Sequence, residues 1–195
     1  MSNSWAEART LTSSSPTYQA PVLLLAAASA ACCGIVYELL LASLASYLLG
    51  NTVVIFSLTV GGFLASMGLG GYLSRLVHRR LLPSFIAAEL ALALLGGLLP
   101  VGLFALYAID GPYEMAHALA IGLIGTLVGV ELPLLARMLE QHVSLRLAIA
   151  QALALDYLGA LLGSVLFPLV LLPWIGILAS AALVGAISAA TCLAV

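Results

Sequence analysis

The chain has 195 residues, 64% hydrophobic and 7% charged, with a formal net charge of −2. Soluble domains carry about 25% charged residues, so this composition excludes one; the six arginines, with no lysine beside them, are too few for a nucleic-acid surface. Repeated apolar runs of about 20 residues, none alternating in the manner of a strand, leave membrane-spanning helices, which satisfy their own backbone hydrogen bonds in lipid.

Residues 1–20 are polar and small and read as a cytoplasmic tail, with 21–195 as an all-α, six-span membrane domain. The first span covers 21–48 and carries Tyr37 and Glu38; Gly50-Asn51 then signals a tight turn. The second, 53–73, has Gly62, Ser66 and Gly70 on one face, where a neighbouring helix can approach closely. A basic loop with Arg75, Arg79 and Arg80 precedes the third span, 82–108, which holds Glu89. Asp110-Gly111-Pro112 is a turn. The fourth span, 115–136, contains Gly125 and Gly129, then Glu131 and Pro133. The loop 137–146 is polar. The fifth span, 147–171, has Asp156 and Tyr157 followed by the close-packing pair Gly159 and Gly163. Pro173-Trp174-Ile175-Gly176 is a turn, with Trp174 suited to the headgroup level, and 177–195 is the sixth span.

Basic loops set the orientation. Arg75, Arg79 and Arg80 mark the second loop as cytoplasmic, and Arg137 and Arg146 mark the fourth. Six spans then place both termini in the cytoplasm of a multi-pass protein of the cell inner membrane.

Glu38, Glu89, Glu131 and Asp156 lie within apolar runs, and acids in a membrane span line ion paths, substrate cavities or buried networks. At 1.5 Å per residue, Glu89 and Glu131 are ~10 Å from the cytoplasmic end of their spans, Asp156 ~14–16 Å and Glu38 ~25 Å. Such a staggered series suits a cation, passed along or held in extended form, with Tyr37 and Tyr157 as neighbours. The structural alternatives are pairing of Glu131 with Arg137 and of Glu89 with Arg80 or Arg75. Protonated Glu38 or Asp156 could also donate to the backbone or to a nearby tyrosine. Cys32, Cys33 and Cys192 form no CxxC pattern and read as small buried hydrophobes. His117 and His142 have no second ligand at metal spacing. No catalytic motif of a soluble enzyme is present, and no metal, cofactor or nucleic acid is expected.

Five stretches carry a family resemblance. They are CCGIVYELLLASLASYLLGNTV (32–53), GGFLASMGLGGYLSR (61–75), the Glu89 span, LVGVELPLLARMLE (127–140) and ALDYLGALLGSVLFPLVLLPWIG (154–176). These stretches resemble the N-terminal membrane domain of bacterial membrane-bound spermidine synthase-like proteins, the polyamine aminopropyltransferase family. The resemblance implies a cytosolic domain that transfers an aminopropyl group from decarboxylated S-adenosylmethionine to putrescine. That domain's glycine-rich motif and catalytic aspartates are not found in these residues, so no catalytic residue carries over and enzymatic activity stays open. A fragment, a stand-alone relative and a partner of a separately encoded aminopropyltransferase all fit.

The 71–80 segment is also similar, more faintly, to a loop of major facilitator transporters, with Arg75 where an aspartate is usual. The leading expectation is a membrane domain that anchors or partners an aminopropyltransferase and binds or passes polyamine. A cation or proton-coupled transporter half is the alternative, then a structural subunit of a larger membrane complex. A homodimer is compatible with each.

Overall fold

The computed structural model describes residues 19–78 and 80–194. The expected tail falls largely on 1–18, and Arg79 lies outside the described residues as well. The remainder is helical, with no strand among the described residues: α1 Gln19–Leu49, α2 Thr52–Leu73, α3 Leu81–Ala108, α4 Tyr113–Leu139, α5 Leu145–Leu166 and α6 Leu172–Ala194.

Local chemistry sets the breaks. Gly50 and Asn51 both take positive φ, 72° and 43°, which reverses the chain in two residues. A 3₁₀ turn, Ser74–Leu76, ends α2. Arg137 reaches over from α4 to hold that turn. Its guanidinium donates to the Val77 carbonyl (2.7 Å), the Ser74 carbonyl (2.7 Å) and the Ser74 hydroxyl (2.9 Å). The Ser74 carbonyl also accepts the Val77 N–H (3.1 Å), so the guanidinium adds to a turn that already holds itself closed.

Five stretches among the described residues are long and apolar enough to cross a bilayer; the last, Leu145–Leu193, is 49 residues long. The expectation of six separate spans is therefore met in part, because α5 and α6 are nearly continuous. A straight helix of that length would measure about 74 Å, over twice the ~30 Å hydrocarbon core. It is not straight. A π-helical turn, Phe167–Leu171, follows α5, and Gly176 leaves the helical region altogether (φ 76°, ψ 178°).

Contacts give the directions. Gly159 of α5 abuts Ala28 of α1, and Gly163 abuts Cys32, so α5 and α1 run parallel. On α6, Cys33 meets Val184 and Ser29 meets Thr191, so α6 runs against α1. The chain thus turns back between α5 and α6. By the same reasoning α2 and α4 are parallel, since Gly62 faces Ile121 and Gly70 faces Thr126.

Helix α1 is the hub and packs against all the other helices. The core falls into two apolar tiers. One includes Tyr37, Leu41, Phe63, Leu92, Ile124 and Phe167. The other includes Leu23, Ala27, Phe85, Leu134, Met138 and Ala152. Outward positions such as Leu58, Leu94 and Leu161 are exposed and apolar, as lipid contact requires.

Candidate functional site

The boundary between the two apolar tiers carries acids. Glu89 lies between Phe85 and Leu92 on α3, and Glu131 between Val128 and Leu134 on α4. Both are buried, at 0% and 3% exposure. A cavity of about 300 Å³ opens between α1, α2, α4 and α5 at this level. Glu131 and Asp156 line it, against small or apolar walls that include Ala27, Ala30, Gly68, Gly71 and Gly129.

Helix packing creates this space. Gly34 of α1 sits on the Val128 side chain, and Gly129 of α4 sits on the Met67 backbone of α2, where a Cβ would clash. With the three helices this close, a ring of alanines and glycines leaves room below the contact. Pro133 adds a polar atom. Having no N–H, it leaves the Gly129 carbonyl without its usual i+4 donor, and both residues line the cavity. No lining side chain among those described is a hydrogen-bond donor when the two acids are ionised. The site offers acceptors only, set in an apolar wall. That complements an alkylammonium group, which has donors and no acceptor.

Several sequence-level pairings are absent. Arg137 is committed to Ser74 and Val77, so it does not neutralise Glu131. Arg75 lies over the Tyr72 ring, 3.7 Å from its centroid, so it does not reach Glu89. Glu89 instead accepts a hydrogen bond from the Ser188 hydroxyl of α6. Asp156 lines the same cavity as Glu131, and Glu89 stands at the same boundary between the two tiers. Tyr37, 1% exposed, reaches in from α1, with its ring packed on Gly96 of α3.

The candidate residues divide accordingly. Glu89, Glu131, Asp156 and Tyr37 are gathered at adjacent levels, not spread across the bundle. Glu38 is buried but does not line the cavity. Tyr157 is 69% exposed and does not join the site. Successive helical residues point about 100° apart, so a helix that turns Asp156 inward turns Tyr157 outward. Of the expected packing residues, Gly62, Ser66 and Gly70 face α4, Gly125 and Gly129 face α2, and Gly159 and Gly163 face α1.

Sequence reasoning missed Ser188 and the Gly129 carbonyl. A proline four residues after a glycine was the available signal for the second; an isolated serine in an apolar span carried none for the first. A separate polar group lies toward the N-terminal end of α4. His117, 7% exposed, shares a hydrogen bond with Thr59 (3.1 Å) and stacks on Tyr113. No cluster that could hold a metal occurs among the described residues.

No family model matches the chain, and no solved structure matches it. Curated relatives do. The polyamine aminopropyltransferase of Leptospira interrogans is 42% identical over 146 residues, 75% of this chain and 29% of the relative. Polyamine aminopropyltransferase 2 of Ralstonia nicotianae is 40% identical, over 84% of this chain and 33% of the relative. The polyamine aminopropyltransferase of Mycobacterium tuberculosis is 38% identical over 193 residues, 94% of this chain and 36% of the relative. The chain thus spans about a third of the length of the curated relatives it matches. Through that shared portion, the chain is homologous to these spermidine synthase-like polyamine aminopropyltransferases.

Proposed function

We propose that this chain is the membrane domain of a spermidine synthase-like protein, and that it binds an alkylammonium cation in the cavity lined by Glu131 and Asp156. The observation that carries the reading is the acceptor-only lining of that cavity. Two carboxylates and a freed carbonyl face a wall with no donor and no competing arginine. A polyamine matches this chemistry, and the names of the relatives make it the natural class to test.

In this reading the domain crosses the inner membrane six times, with both ends in the cytoplasm. The break at Gly176 and the opposite directions of α5 and α6 support the count. The positions of Arg75, Arg80, Arg137 and Arg146 support the orientation. It anchors or partners a cytosolic aminopropyltransferase domain and holds polyamine at its membrane side. Release into or across the bilayer would make it a transporter half.

Calorimetric titration of the purified protein tests the binding. Putrescine and spermidine bind the wild type. The Asp156→Asn variant, which keeps the shape and removes the charge, binds at least ~10-fold more weakly, about 1.4 kcal/mol. No binding to wild type, or equal binding by the variant, defeats the proposal.

A further inference from the structure

Three buried polar atoms remain without a hydrogen-bond partner beside the cavity: Glu89 Oε1, Glu131 Oε1 and the Tyr37 hydroxyl. Each belongs to a side chain that is more than nine-tenths buried. They come from α3, α4 and α1 and converge on one polar layer. The other groups near this layer are Cys33, one turn from Tyr37 on α1, Asp156 of α5, which lines the cavity with Glu131, Ser188 of α6, which donates to Glu89, and Cys192 of α6, beside the Ile86 carbonyl. Helix α2 contributes no titratable side chain to it. Among the described residues no group facing the layer is basic, so none of them balances two ionised carboxylates at this spot. Two carboxylates held together in a site closed to water cannot both ionise without a cation, and one of them keeps a proton.

From this arrangement we infer that Glu89 and Glu131 form a proton-binding site that exchanges its proton for the ammonium in the adjoining cavity. Glu131 belongs to both: its carboxyl lines the cavity, and its Oε1 is enclosed in the layer. Glu89 belongs to the layer alone, fixed by the Ser188 hydroxyl. When an ammonium group enters against Glu131 and Asp156, its positive charge replaces that of the proton. The carboxyl O–H bond breaks, the proton leaves to bulk water and the carboxylate pairs with the ammonium. For the one ammonium group that enters the cavity, one charge enters and one leaves; the remaining ammonium of a di- or triamine is not part of this exchange. This inference rests on the amine site proposed above.

Two measurements separate the inference from that reading. Calorimetric titration of putrescine at neutral pH is repeated in buffers of different ionisation enthalpy. The heat varies with the buffer as one released proton per bound amine requires, and Glu89→Gln keeps the binding but loses the buffer dependence. Binding with a buffer-independent heat overturns the proton site and leaves the amine site standing.

Infrared difference spectroscopy tests the proton without any amine. Wild type minus Glu89→Gln at neutral pH contains the C=O band of a protonated carboxyl. Ser188→Ala, which removes only a hydroxyl, moves that band to higher frequency as the hydrogen bond to Glu89 is lost. A spectrum in which neither variant changes a carboxyl band overturns the proposal, whatever the amine result.

Discussion

Asp156 and Glu131 show how one charge decides a site in an apolar wall. Each is an acceptor while ionised and loses its attraction for a cation on protonation. Amine binding should therefore weaken as pH falls, which a titration series across acid and neutral pH would record; affinity that rises toward acid would assign the site to another ligand. Arg137 has the opposite task. It satisfies the end of α2 through three hydrogen bonds, two of them to backbone carbonyls. Hydrogen bonds to a charged donor are worth about 1.5–3 kcal/mol, and water can replace part of them at a helix end. Arg137→Ala should cost ~2–3 kcal/mol, read as a lower melting temperature in detergent. The acids themselves were legible, since a carboxylate in an apolar run is conspicuous. Their grouping was not. Depth along a helix comes from counting residues, but which acids meet depends on how the helices rotate and cross. Arg137 likewise sits one and a half turns from Glu131 in the sequence, yet its guanidinium serves a different helix.

Among the elements, α2 and α4 define how closely backbones approach. A Cβ on Gly129 would meet the Met67 carbonyl, and one on Gly70 would meet the Thr126 carbonyl. Backbone cannot rotate away as a side chain can. Gly129→Ala and Gly70→Ala should each destabilise the bundle by ~1–3 kcal/mol, the usual range for overpacking. Gly61 has open space around it, and Gly61→Ala should be neutral or slightly stabilising, because alanine is the better helix former. Thermal denaturation of the three variants side by side checks this; equal losses would mean that the α2–α4 contact is not what holds these helices. Glycine spacing made the close approaches legible from sequence. The join between α5 and α6 was harder to read. Pro173-Trp174-Ile175-Gly176 suggested a turn there; Pro173 continues the helix, and the chain breaks at Gly176, the last of the four. A proline is tolerated in a helix's first turn, whereas a φ of 76° ends one.

Across the whole molecule, alternating helix directions and the arginine-bearing loops imply that the 74–80 and 140–144 turns share one side, with 109–112 on the other. Cysteine labelling in a background lacking Cys32, Cys33 and Cys192 tests this. Position 110 is exposed and a better reporter than 111, where a side chain would press on Leu106. A cysteine at 110 should react from outside, and one at 78 should not; the reverse pattern would invert the domain. On the function proposed above, the cavity between α1, α2, α4 and α5 holds an alkylammonium ion. Native mass spectrometry of the protein, released from detergent after equilibration with putrescine or spermidine, measures this directly. Wild type should carry the added mass of the amine, and the Glu131→Gln, Asp156→Asn double variant should not. A wild type that carries no amine, or a double variant that carries it equally, would contradict the account.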